Sequence, residues 1–183
     1  MAKDNAYLPD SHTLYTQFNH RTNDPNLSMK DFSKGLFAFA ETHTIQRTIV
    51  HLRFNQSGNS RGINPLENGL EGRAALSGKG KLFALIGPAT FSSGLMAAMD
   101  FRDKLHAVPI GEPTAEKPHS FGEEKVLKLL NSQLEISYST KFFRLMKNVD
   151  LSALAPNIIV KLSIADFLAG RDPALETALH YSR

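Results

Sequence analysis

The chain has 183 residues, 42% of them apolar, with 21 basic against 18 acidic residues and no cysteine. That length fits one domain with its own core. The net charge of +3 is scattered, with no run of Lys or Arg to track a phosphate backbone, which argues against a nucleic-acid partner, and the lack of cysteine excludes a disulfide framework, a thiolate nucleophile and a Cys-ligated zinc site.

Residues 1 to 12 are polar, with a turn-like Leu8-Pro9-Asp10-Ser11. Thr13 to Phe18 then alternates with the period of a half-buried strand, and the Asn, Asp and Pro of residues 19 to 26 predict a loop. Ser28 with Asp31 three residues later reads as a helix start, and Phe32, Leu36 and Phe37 supply the buried stripe of a helix to about Thr42. Ile45 to Phe54 is expected as a strand with Ile49, Val50 and Leu52 inside. It is followed by the turn-forming cluster Asn55-Gln56-Ser57-Gly58-Asn59, at the strand end where α/β folds place ligands. Asn64-Pro65 opens a helix, and residues 77 to 80 form a loop before the next strand.

Leu82 to Ile86 is a continuous apolar run of strand length, broken by Gly87 and Pro88. From Ser93 to Lys104 the apolar residues Leu95, Met96 and Met99 recur at helical spacing. Ser92 and Ser93 therefore sit where a strand gives way to a helix. A hydroxyl there either caps the helix or stands clear of the sheet as a nucleophile, and caps are the commoner use. His119 to Gly122 is expected as loop. The alternation of Leu134, Ile136 and Tyr138 predicts a late hairpin over residues 125 to 140, turning at Asn131-Ser132. Ser163 with Asp166 starts a helix that stops at Gly170, and Asp172-Pro173 starts the last one.

Thr90-Phe91-Ser92-Ser93-Gly94 together with Ile110-Gly111-Glu112-Pro113-Thr114 resembles the core of the C-terminal-processing (tail-specific) serine peptidases, and the likeness continues through Leu130 to Phe143. The resemblance implies Ser92 as nucleophile. It implies Lys117 as general base, because the family's Ser-Lys members place their lysine in the run Gly-Glu-Pro-Thr-x-x-Lys, 25 residues after the serine, the separation found here. It also implies Asp103, 11 residues after Ser92, as a supporting acid. The backbone amides of Ser93 and Gly58 would form the oxyanion hole. The family pattern around that glycine turn is Asp-Leu-Arg-x-Asn-x-Gly-Gly-Asn. His51 stands here in the Asp position, and Gln56-Ser57-Gly58 replaces a glycine-richer run. A backbone donor survives a side chain at Ser57, but the loss of glycine restricts positive φ and re-aims the amide.

Alternating strands and helices with a late hairpin predict an α/β fold. The resemblance narrows this to a Clp-protease/crotonase-like spiral of ββα units, with residues 1–183 as one peptidase-core domain of a protein that is either this long or longer. The expected reaction is serine-type peptide hydrolysis without a cofactor or metal, on a peptide or protein substrate, with room for a homo-oligomer. The alternative is a catalytically weak or inactive relative that binds peptides or serves in assembly. Crotonase-like acyl-CoA chemistry is a third reading, from which Gly-Glu-Pro-Thr points away.

The individual residues carry plainer readings too. Lys117, Glu112 and Glu116 are most simply solvated side chains, Asp103 an exposed carboxylate near a helix end, and His119 a reserve base near Lys117. No apolar stretch reaches the length of a membrane span and no export signal is expected over these residues. Relatives of the resembled family are often exported, so the compartment stays open.

Overall fold

The computed structural model describes residues 3–19, 27–56, 58–59, 61–147 and 150–182. Much of the loop expected at residues 19 to 26, and Ser57 of the expected oxyanion turn, lie outside them.

Six strands form one sheet in the order β1-β2-β3-β4-β5-β8. These are β1 (Lys3–Leu8), β2 (Thr13–Phe18), β3 (Arg47–His51), β4 (Leu82–Ile86), β5 (Val108–Gly111) and β8 (Ile158–Ile159). β1 runs antiparallel to β2 and every other pairing is parallel. The central strands are covered on both faces, which is why β4 reads Leu-Phe-Ala-Leu-Ile with every residue buried. Leu82, Ala84 and Ile86 join Val50 in one core with Leu36, Leu66 and Leu95 from α1 (Met29–Glu41), α2 (Asn64–Glu71) and α4 (Ser93–Asp103). Phe83 and Leu85 join Ile49 and Ile110 in a second core, closed by Ala174 and Ala178 of α6 (Pro173–Leu179). α3 (Ala74–Ser77) and α5 (Ile164–Leu168) are short helices, and a single 3-10 turn covers Pro9–Ser11. The long β6 (His119–Lys128) and β7 (Glu135–Arg144) form a separate two-stranded ribbon.

The helix starts follow the sequence signals. Ser28 accepts the Asp31 amide at 3.1 Å, Ser163 and Asp166 form a reciprocal capping box, and Asp172 accepts the Leu175 amide at 3.1 Å ahead of Pro173. Residues 3 to 8, which carry no strand signal of their own, are a strand because β2 offers them an edge along the full Lys3↔Phe18 to Leu8↔Thr13 register. Two expectations need correction. His119 to Gly122 is strand, since the ribbon runs down to the His119↔Arg144 pair. The strand expected over residues 45 to 54 is shorter and ends at His51. β5 escapes notice because Pro109 lies inside it; its carbonyl still accepts the Asn157 amide at 2.9 Å, whereas its nitrogen has no hydrogen to give.

Candidate active site

The parallel strands bring three loops to the C-terminal edge of the sheet: residues 52–56 with 58–59 after β3, 87–92 after β4 and 112–118 after β5. Thr90, fully buried, ties the first two together. Its hydroxyl donates to the Leu52 carbonyl at 3.0 Å and accepts the Gly87 amide at 3.0 Å. The Phe91 amide donates to the Asn55 carbonyl at 2.9 Å, and the Asn55 side-chain amide donates to the Phe18 carbonyl at 2.9 Å. Gly94 permits this approach: a Cβ there would stand 2.2 Å from the Asn55 carbonyl oxygen. The helix can therefore start against the loop only with glycine at that position.

Ser92 occupies the bend. It precedes α4 with φ 51° and ψ −118°, and its side chain makes no capping hydrogen bond. A non-glycine residue at positive φ is strained, and a cap would have made its presence useful; the hydroxyl instead borders a cavity of about 450 Å³ with Ser93, Gly58, Phe91, Glu116 and Phe143 on its walls. Gly58 has φ 125°, a conformation open to glycine. The Ser93 amide, first in α4, has no protein acceptor among the described residues and carries the partial positive charge of a helix start.

The structure thus brings Ser92, Ser93 and Gly58 to one cavity. The other two sequence candidates lie elsewhere. Lys117 is exposed and, among the described residues, makes no hydrogen bond to Ser92. Its neighbour Glu116 takes the inward place, where its carboxylate accepts the Ser92 amide hydrogen. The loop is held in that turn by Thr114, whose hydroxyl donates to the Glu116 carbonyl at 2.9 Å and accepts the Leu154 amide at 3.0 Å. Asp103 ends α4, ten residues from Ser93 and so about 15 Å along the helix axis, where it pairs with Arg102 at 2.6 Å. His119, the reserve base, lies in β6 opposite Arg144.

Behind the 52–56 segment lies a polar chain that the sequence shows only in parts. His51 is buried. Its Nε2 accepts from Arg53 Nε at 3.0 Å and its Nδ1 meets the Tyr15 hydroxyl at 2.5 Å. Arg53 has only hydrogens to give, so Nε2 is bare and Nδ1 carries the proton. Burial, then the Arg53 charge, push the His51 pKa down from 6.5 to about 3, against an upward pull from Asp172. Arg53 reaches on to both oxygens of Asp172. Burial raises the Asp172 pKa, but the bonds from Arg53 and the Leu175 amide outweigh it and hold the carboxyl below its ordinary range. Glu116 and Asp172 were the residues missed as partners. The only sequence signal for Glu116 was its place in the Gly-Glu-Pro-Thr loop, and Asp172 showed itself solely as a helix cap.

Among the described residues no group of three or more His, Cys, Asp or Glu is placed to hold a metal. No helix among them is long and apolar enough to cross a membrane.

No protein-family model and no curated protein sequence matches the chain. Solved structures do. A candidate peptidase of Parabacteroides merdae superposes with a TM-score of 0.65 at 14% identity, over 98% of this chain and 65% of its own. The photosystem II D1 C-terminal processing protease gives 0.59 at 13% identity, over 92% and 46%. The tricorn protease gives 0.60 at 15% identity, over 93% and 18%. The chain spans less than two thirds of the length of each. Its mixed α/β fold, built on a mostly parallel sheet, is the fold that these peptidase structures share.

Proposed function

We propose that the chain is a serine hydrolase of the tail-specific peptidase type, a peptidase core spanning residues 1–183 in a Clp-protease/crotonase-like spiral. One observation carries the reading: Ser92 is held at positive φ at the head of α4, does not cap it, and opens onto a cavity. Strain of this kind at a strand-to-helix bend is what lifts a nucleophile clear of a sheet. The Ser92 hydroxyl attacks a peptide carbonyl, the Ser93 and Gly58 amides stabilise the oxyanion, and water then releases the acyl group. Lys117 takes the proton and returns it to the leaving amine. For that the 112–118 loop turns over, exchanging Glu116 for Lys117 at Ser92, and the lysine must lose its proton in a drier setting. Asp103 has no contact with the pair in this reading.

A second reading has its own support. The Glu116 contact to Ser92 and the exposed Lys117 suit a catalytically silent relative that binds peptides. Fluorophosphonate labelling separates the two. The hydrolase reading expects labelling of the wild type that Ser92→Ala abolishes and Ser93→Ala leaves in place. A folded wild type that stays unlabelled beside a reacting control refutes it, and peptide binding without turnover would then establish the second.

A further inference from the structure

We infer that the outward face of the β6–β7 ribbon is an interface between two copies of this chain. The ribbon's pairing places Phe121 with Phe142, Lys125 with Tyr138 and Leu127 with Ile136 on one face, and the Leu129 amide bonded to the Leu134 carbonyl at 2.9 Å extends the same face toward the tip. The base of the ribbon borders the Ser92 cavity, through Ser120, Gly122, Glu124 and Phe143 and, at the same end, through Phe121 and Glu123, so the outward face is free of the body from Lys125 and Tyr138 to the tip, with Phe121 and Phe142 at its inner end.

The outward face is apolar and bare. Phe121 is 69% exposed, Leu127 53%, Leu134 63%, Ile136 46%, Tyr138 48% and Phe142 43%. A two-stranded ribbon is marginal in water unless its apolar face is covered, and side chains of this kind standing together mark an interaction surface.

Two features select a second copy as the cover. At roughly 200 Å² for a fully exposed large side chain, those six present about 600 Å². The stems of Lys125 and Leu129 bring the face close to the about 800 Å² per partner of a standard interface. The pattern is also self-complementary. In a two-fold contact residue i meets j and j meets i. With the axis along the ribbon, every residue meets the partner's copy of its own cross-strand neighbour. Phe121 falls on Phe142, Leu127 on Ile136, and Lys125, the lysine at the middle of the face, on the Tyr138 ring as a cation–π pair. With the axis across the ribbon, Lys125 would fall on its own copy. The charge therefore selects the first arrangement, and the contact does not depend on the hydrolase reading.

Sedimentation equilibrium of the whole chain tests this. The wild type is expected to be a dimer with a micromolar or lower Kd, and Leu127→Glu to weaken it at least about tenfold with an unchanged circular dichroism spectrum. Because the chain has no cysteine, a mixture of Leu127→Cys and Ile136→Cys chains reports the arrangement on near-native proteins even if Leu127→Glu fails to fold. Disulfide formation should exceed that of either variant alone. A wild type that is monomeric at about 100 μM, a hundredfold above a micromolar Kd, overturns the inference, including where it instead captures an apolar peptide. A dimer indifferent to Leu127→Glu, or a mixture that fails to cross-link, overturns it as well.

Discussion

Replacing His51 with glutamine should remove most of the acid sensitivity of this fold between pH 7 and pH 5. His51 is buried among Tyr15 from β2, Arg53 from its own loop and Asp172 at the head of α6. Its pKa is about 3 in the folded chain, against 6.5 for an unperturbed side chain. Above pH 6.5 both folded and unfolded chains hold it neutral, and its titration has no effect on stability. Below that, the unfolded chain takes up a proton that the folded chain refuses, so stability falls as the pH drops, until the folded pKa is reached. Each pH unit of that window is worth about 1.4 kcal/mol, so the wild type should lose about 2 kcal/mol by pH 5. Asp172, with its carboxyl held low, acts in the same direction but at lower pH, which is why pH 5 isolates the histidine. Glutamine preserves a carbonyl oxygen for Arg53 and cannot titrate. Urea unfolding at pH 7 and pH 5 would be compared for the two proteins, and contributions common to both cancel in the difference. An equal loss in wild type and variant would show that His51 takes its proton in the folded chain and that the Arg53 bond to Nε2 does not form.

Three other outcomes are expected. Glu116→Ala should raise fluorophosphonate labelling, because it frees the Ser92 amide from a charge-assisted bond worth about 1.5–3 kcal/mol and empties the place at Ser92 that Lys117 has to take, whereas Lys117→Met should abolish it; the reverse pair of results would make Glu116 the working base. Gly94→Ala should cost about 1–3 kcal/mol in denaturant unfolding and lose labelling with it, since the new methyl would stand 2.2 Å from the Asn55 carbonyl oxygen; an alanine variant of wild-type stability would mean that α4 does not approach the loop this closely. Asp172→Asn keeps the cap on α6 and removes the charge opposite Arg53, whose side chain is 17% exposed. A loss of about 1–2 kcal/mol is expected after allowance for solvent at Asp172, and an unchanged urea midpoint would count against the pair.

The elements legible in the sequence were those whose signal is local. The Ser28, Ser163 and Asp172 caps announce three helices because a cap is written in four adjacent residues, and the unbroken Leu82 to Ile86 run announces the central strand because both its faces are buried. β1 was illegible because Lys3 to Leu8 owes its strand to the edge of β2, a non-local cause. β5 was hidden by Pro109, which a strand tolerates where its carbonyl, and not its nitrogen, does the bonding. At the site, the bend at Ser92 could be placed, but its choice between cap and free hydroxyl depends on backbone angles that no residue pattern encodes. Which of Glu116 and Lys117 turns inward is likewise set by a contact between Thr114 and Leu154 made across 40 positions of chain.

 In the sequence Thr114 and Leu154 are too far apart for their contact to be visible.

The substitution of His51 for the family's aspartate looks, on the sequence, like damage to the oxyanion turn, and the structure locates its effect elsewhere. An arginine beside a buried carboxylate is kept in place by charge, and a histidine alone could not replace that charge, because burial keeps it neutral. Here the carboxylate comes from Asp172, at the start of the last helix, which holds both guanidinium nitrogens that Arg53 does not turn toward His51. His51 then serves as an acceptor for Nε and passes its own proton toward Tyr15. Arg53 is thus held from two sides, and Phe54 and Asn55, which follow it, keep the position from which the Asn55 carbonyl receives the Phe91 amide at 2.9 Å. The consequence for catalysis is specific. The base of the turn is anchored in this chain by other means, so under the hydrolase reading a shortfall in oxyanion stabilisation is expected beyond Asn55, where the sequence Gln56-Ser57-Gly58 stands in place of the glycine-richer run of the resembled peptidases. Repairing His51 alone should therefore leave the Ser92 site as it is.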